Sequence, residues 1–286
     1  MLKDLGRRTF GTCISIGAVI VLLWLSYHQY ARYVVALSIG ALGSIAVWEY
    51  NQFAKAKGGK IILPAVMALS FVVIISFFAA AQLQGFSSLP PICFFIGLLC
   101  LFAMHFRQND GAIIDLSASS FALLYIAVPL GMVLSILYLS PLVIQEDGRW
   151  WTAYLLVVTK ITDVGAYFAG SLWGKRKLAP QISPGKTIEG ALFGLLCAVG
   201  ASFLFHWINE YSGAHHFQLG TLEWLLLGLI LGVTGQFGDL AESLLKRDAK
   251  KKDSNALPGL GGILDSLDSL LFNAPIIYFY LQHIKS

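Results

Sequence analysis

Long apolar runs alternate with short polar interruptions along this 286-residue chain. The runs fall at about Phe10–Tyr27, Val34–Phe53, Ile61–Ala81, Pro91–Phe106, Ser119–Ser140, Trp151–Trp173, Ile188–Ile208, Leu222–Leu245 and Leu267–Ile284. Each approaches the ~20 residues that a helix needs to cross the hydrocarbon of a bilayer. The pattern predicts an all-α fold: a polytopic integral membrane protein of about nine transmembrane helices. An odd number of spans puts the two termini on opposite sides. Trp24, Trp48, Trp150, Trp151, Trp173, Trp207 and Trp224 fall near predicted ends, where an aromatic belt belongs. The first run, preceded by Lys3, Arg7 and Arg8, imitates a signal peptide. No small-x-small cleavage site follows it, and a retained first helix is the better reading.

Composition agrees with the pattern. Hydrophobic residues make up 57% and charged residues only 13%, about half the charged share of an ordinary soluble domain. The net charge of +4 matters less than its placement. With the N-terminus in the cytoplasm, the cytoplasmic segments hold Lys3, Arg7 and Arg8, then Lys55, Lys57 and Lys60, then Arg107. The later ones hold Lys175, Arg176, Lys177 and Lys186, then Lys246, Arg247, Lys250, Lys251 and Lys252. The opposite side holds only Arg32, Arg149 and Lys285. Positive-inside bias therefore orients the chain, with the C-terminus across the membrane. Cys13, Cys93, Cys100 and Cys197 lie in apolar runs without CxxC pairing and read as buried thiols. His215-His216 reads as a solvated loop. No repeat is apparent. Intramembrane polarity rises from Trp150 onward, which suggests scaffold helices over residues 1–149 and a catalytic region over 150–286.

The chemistry concentrates between Gly235 and Ser269. Asp239, Glu242, Ser243 and Lys246 recur at i, i+3, i+4, i+7, which places them on one face of a helix end. Asp265 and Asp268, i and i+3, fall on adjacent turns at the start of the last apolar run. Carboxylates entering a hydrophobic helix are costly unless a cation binds there, and their oxygens are hard ligands suited to Mg²⁺. Gly259, Gly261 and Gly262 precede them and would let backbone N–H groups approach an anion. Lys250, Lys251 and Lys252 read equally as a topology signal with headgroup contact or as a supply of cations for phosphate.

A second constellation begins inside the sixth run. Lys160 and Asp163 stand i, i+3 in apolar sequence, either as a mutually neutralising pair or as functional groups. Gly165 and Gly170 thin that helix for close packing. After it, Gly185-Lys186-Thr187 imitates the end of a Walker A loop. Pro180 stands where glycine is needed and no strand is foreseen, so a P-loop is rejected. The segment reads as a short cytoplasmic loop ending at a helix N-terminus. Ser183 and Thr187 supply hydroxyls and Lys186 a cation for phosphate.

Taken together, these stretches resemble the phosphatidate cytidylyltransferase family, the CDP-diacylglycerol synthases. The matching positions are Ser243, Lys246, Arg247, Lys252, Asp253, Pro258, Gly261, Gly262, Asp265 and Asp268. Upstream, Ser183, Pro184, Lys186, Thr187, Glu189 and Gly190 match a second element, and Asp163 followed by Gly165-Ala166-Tyr167 a third. The resemblance spans roughly residues 150 to 273; the first half is similar only in hydropathy. Leu260 stands where that family usually has His, and Ser266 where it usually has Arg. The segment between Asp253 and Pro258 is one residue short.

The resemblance implies cytidylyl transfer from CTP to phosphatidate, giving CDP-diacylglycerol and pyrophosphate. It implies Mg²⁺ held by Asp239, Asp265 and Asp268, with an assisting monovalent cation such as K⁺. Asp163 and Lys246 would join those aspartates in catalysis. Ser183, Lys186, Thr187, Glu189, Ser243, Arg247, Lys252, Asp253, Gly261 and Gly262 would bind substrate. The implied partners are CTP, phosphatidate in the bilayer, other membrane lipids and a second copy in a homodimer, with no nucleic acid. The implied location is a bacterial-type inner membrane with a cytoplasmic active site. Three rivals remain open: a CTP-dependent lipid-alcohol kinase, a transporter, and a non-catalytic scaffold.

Overall fold

The apolar runs become helices of nearly the lengths their composition dictates. The computed structural model describes residues 21, 23–26, 28–83, 85–107, 110–139, 146–212, 217–251 and 262–283. The helices are α1 (Ala31–Ala56), α2 (Leu63–Gln82), α3 (Leu89–His105), α4 (Ala112–Leu137), α5 (Gly148–Trp173), α6 (Ile188–Ser212), α7 (Glu223–Asp248) and α8 (Ile263–His283). Six of them, α1, α2 and α4 to α7, are long and apolar enough to cross a membrane. Helix α3 is shorter, at 17 residues, and α8 interrupts its apolar sequence with Asp265, Asp268 and Asn273. The chain is a polytopic helical membrane protein. Most of the expected first span, with Lys3, Arg7, Arg8 and Cys13, lies outside the described residues. So do His215-His216, Lys252, Asp253, Pro258, Gly259, Leu260, Gly261 and Lys285.

Three departures from the sequence reading have local causes. Helix α4 starts at Ala112 rather than near Ser119, because Asp115 is not a loop residue. It is buried, and its carboxylate accepts the backbone N–H of Lys60 at 2.6 Å. Helix α4 also widens into a π turn at Leu123–Ala127, immediately before Pro129. Proline lacks the N–H that would reach the Tyr125 carbonyl, and a π turn absorbs that mismatch. The expected loop after α5 is instead a hairpin: β1 (Lys177–Ala179) pairs antiparallel with β2 (Ser183–Thr187), Lys177 opposite Thr187. A strand therefore does precede Gly185-Lys186-Thr187, and that trio is itself strand. It forms no phosphate-wrapping loop, and Pro180 still excludes a P-loop.

Two apolar cores are joined by α8. One gathers α1 to α4 around Val47, Phe53, Ile74 and Ile126, with Leu264 and Leu271 of α8. The other gathers Trp151, Tyr154 and Leu155 of α5 with Leu231 of α7 and Ala274 and Ile277 of α8. Helices α5 and α6 approach so closely that a Cβ at Gly190 would stand 2.6 Å from the Ala166 carbonyl oxygen. Gly165 bears out its expected role, since a Cβ there would lie 2.5 Å from Cys197 Sγ. Buried polar links set the register of the second core. Asn273 donates to Thr159 Oγ1 at 2.8 Å and accepts from Thr234 at 2.6 Å, tying α5, α7 and α8 together.

Cross-links also show which helix ends share a face. Lys57 pairs with Asp248 at 2.6 Å, joining the ends of α1 and α7. Arg247 Nε donates to the Ile182 carbonyl at 3.0 Å, joining α7 to the hairpin turn. At the opposite end, Arg32 donates to Gln82 at 2.6 Å and Gln218 N–H to Glu146 at 3.4 Å. The basic segments around Lys57, Lys177 and Lys246 thus lie on one face, away from Arg32.

Candidate active site

A cavity of about 300 Å³ opens where the end of α5, the hairpin, the start of α6 and the middle of α7 meet. Asp163 reaches it from α5, Ser183, Gly185 and Lys186 from β2, and Gln236 and Asp239 from α7. Each is there for a local reason. Thr187 ends the strand and caps α6, its Oγ1 accepting the Gly190 N–H at 3.2 Å, as an N-cap threonine does. Glu189 holds the turn before β1 by accepting the N–H groups of Lys175 and Arg176, each at 3.1 Å. The hairpin is thereby clamped at both ends, and Lys186 is delivered to α7, where its Nζ stands 2.7 Å from Asp239 Oδ2. Gln236 is fixed on the carbonyls of Ala191 and Gly232, at 3.1 and 3.0 Å.

Beside the cavity, α8 brings Asp268. Gly238 makes this approach possible, because a Cβ there would stand 2.6 Å from the Asp268 carbonyl oxygen. Asp268 is buried and accepts the Ser269 N–H at 2.6 Å, while the Ser269 hydroxyl donates to Asp163 at 3.2 Å. Asp163, Asp239 and Asp268, from three helices, lie close enough for their charges to act on one another. Two cations face them: Lys186, and Lys160, whose Nζ is 4.0 Å from Asp163 Oδ2 and donates to the Ser266 carbonyl at 2.9 Å.

Asp265 takes part in a neighbouring cluster. Lys246 is ion-paired with Asp265 and also stands 2.5 Å from Glu242, whose side chain is fully buried. Ser243 donates weakly to Asp239 at 3.5 Å, which links the two clusters. The expected sites therefore fall into two groups: Asp163, Ser183, Lys186, Asp239 and Asp268 around the cavity, and Glu242, Lys246 and Asp265 beside it. Arg247 braces the hairpin turn. Lys252, Asp253 and Gly261 lie outside the described residues. The start of α8, read as an anion site behind Gly262, already holds an anion. Glu49 of α1 accepts the N–H groups of Ile263 and Leu264 at 3.0 and 2.8 Å.

Sequence reasoning did not single out Gln236, Glu49 or Tyr125. The Tyr125 hydroxyl, on the π turn, is buried without a hydrogen-bond partner among the described residues and within electrostatic reach of Asp268, Glu242 and Asp239. Only the unusual placement of polar residues in apolar runs could have flagged them.

Among the described residues, no three carboxylate, histidine or cysteine side chains converge as ligands of one ion. The donor chemistry nevertheless suits a hard cation. Mg²⁺ is commonly held by one or two carboxylates, with phosphate and water oxygens completing its shell. Mutually repelling carboxylates beside a cavity provide that kind of partial shell.

Comparisons with known proteins bear on the family of the chain. The cytidylyltransferase family model matches residues 7–284. The phosphatidate cytidylyltransferase of Chlamydia pneumoniae is 34% identical over 290 residues, covering 99% of this chain and 94% of that protein. That of Bacillus subtilis (strain 168) is 33% identical over 272 residues, covering 94% and 96%. The corresponding enzyme of Haemophilus influenzae is 29% identical over 298 residues, covering 98% and 99%. With a family model and relatives that match over nearly the whole chain, the chain belongs to the cytidylyltransferase family.

Proposed function

We propose that this protein transfers the cytidylyl group of CTP to phosphatidate, forming CDP-diacylglycerol and pyrophosphate. The observation that carries the reading is the cavity in which Lys186 and Ser183 face Asp163 and Asp239, with Asp268 beside it. Anion-binding and cation-binding groups meet there at one end of a bundle that can keep acyl chains in lipid. A phosphate oxygen of phosphatidate attacks the α-phosphorus of CTP and forms the new O–P bond. The bond between the α-phosphorus and its bridging oxygen breaks, and pyrophosphate leaves with that electron pair. Both reacting groups come from substrates, so no protein nucleophile is needed; positioning and charge neutralisation supply the rate.

Lys186 is placed to meet triphosphate oxygens, releasing Asp239 as it does so. Lys246, paired with Glu242 and Asp265, is one exchange of partners away from the same role. Asp239, Asp265 and Asp268 would hold Mg²⁺, with a monovalent cation assisting. When bound, the divalent ion would offset charge on the attacking and leaving oxygens. Gln236 and Thr187 keep the walls fixed, and the apolar faces of α5 and α6 offer a surface for the lipid tails.

Purified protein supplied with CTP, phosphatidate and Mg²⁺ should release pyrophosphate and CDP-lipid in equal amounts. Release of CDP with a phosphorylated lipid would show γ-phosphoryl transfer instead, and absence of both products would overturn the reading. The site is assigned to the cytoplasmic face of the inner membrane, because the basic segments share its end of the bundle. Cysteines placed at Lys177→Cys and Lys251→Cys should react with an impermeant maleimide from the cytoplasmic side only. Labelling from the outer side would reverse the orientation.

A further inference from the structure

Glu49 is 0% exposed, a costly place for a carboxylate in a membrane bundle. Its hydrogen-bond partners among the described residues are the N–H groups of Ile263 and Leu264, at 3.0 and 2.8 Å. These are the first two residues of α8, whose amides have no acceptor within their own helix. A full negative charge also suits the positive end of the helix dipole. The acceptor is thus supplied by a helix more than two hundred residues earlier in the chain. The surrounding packing makes the contact firm. Val47, Tyr50, Phe53 and Ala54 of α1 share a core with Leu264 and Leu271, and the Lys57–Asp248 pair closes α1 onto α7 nearby.

The residues held in this way lie directly before Asp265 and one turn before Asp268. We propose that Glu49 is a positioning residue of the active site: its carboxylate fixes the first turn of α8 and so sets where Asp265 and Asp268 stand relative to Lys246, Asp163 and Asp239. This inference rests on the cytidylyl-transfer reading above. It extends the functional machinery to α1, far from every motif in the second half of the chain.

The near-isosteric variant Glu49→Gln tests it. Glutamine offers one acceptor oxygen and turns an NH₂ group toward the second amide, so one of the two contacts becomes repulsive. Two readouts apply. In hydrogen exchange, amides 263 to 266 should exchange at least about tenfold faster than in wild type, while those around Ile277 keep their rates. In turnover, the Mg²⁺ concentration for half-maximal rate should rise at least about fivefold, with the KM for CTP changed less than about twofold. Glu49→Asp, which keeps the charge but withdraws it by one methylene, should fall between the two.

A role confined to global stability would speed exchange throughout and leave the Mg²⁺ midpoint unmoved, which overturns the proposal. So would wild-type exchange at 263 to 266 in the Gln variant. If neither variant folds, wild type decides: unprotected Ile263 and Leu264 amides overturn the proposal, and protected ones support the contact. A wild type inactive on CTP and phosphatidate would defeat the functional reading by itself, and the exchange comparison would still decide whether Glu49 holds α8.

Discussion

Asp268→Asn should lower turnover at least about a thousandfold, about 4 kcal/mol of barrier, while the folded protein becomes no less stable. The two halves of this expectation come from one arrangement. Asp268 is buried beside Asp163 and Asp239, and the three carboxylates repel one another. Asparagine has the same shape, can still accept the Ser269 N–H and removes one of the repelling charges. A residue that weakens the resting fold while enabling a reaction has the profile of a functional group. Asp265→Asn should lose activity comparably but also lose stability, because it takes one of two carboxyl partners from Lys246 beside the buried Glu242. Steady-state rates and thermal unfolding of the purified variants check both. Retention of more than about a tenth of the wild-type rate, roughly 1.4 kcal/mol, removes that residue from the catalytic set.

The spans were legible because apolar composition over about twenty residues admits few structures besides a membrane helix. Predicted and observed helices differ mainly where a polar residue hides inside one. Asp115 in α4 read as loop, and it is held in helix by a partner remote in sequence, the backbone N–H of Lys60. Asp265 and Asp268, read on adjacent turns of one helix face, do fall in the first turns of α8. The site was legible as an inventory but not as an arrangement. Spacing put Asp239, Ser243 and Lys246 on one helix face, and the structure keeps Asp239 beside Ser243. It could not reveal that Lys186 pairs with Asp239 or that Asp163 meets Ser269, since neither contact has a periodic signature. The hairpin escaped because its strands are only three and five residues long, too short for alternation to register. Glu49 escaped for the opposite reason, as an acidic residue in an apolar run whose partners are backbone groups 214 residues away.

Lys160 provides the second large expected effect. The family pattern that this chain resembles has arginine where Ser266 stands, yet that place is not without a cation here. Lys160 Nζ reaches the Ser266 carbonyl at 2.9 Å from the neighbouring helix and stands 4.0 Å from Asp163. A cation of α5 thus stands beside Ser266, close enough to act on both Asp163 and Asp268. Lys160→Met should reduce turnover about a hundredfold, about 2.7 kcal/mol of barrier, because the carboxylates then face incoming phosphates with one cation fewer. Ser266→Arg in the wild-type background should have little effect or impair activity, since it crowds Lys160. Ser266→Arg combined with Lys160→Met should recover at least about a tenth of the wild-type rate. That non-additivity, measured as a double-mutant cycle in kcat/KM, is the signature of two positions serving one charge. Additive losses in the double variant would show that Lys160 acts only in packing, and full activity of Lys160→Met alone would show that Lys186 suffices to balance the carboxylates.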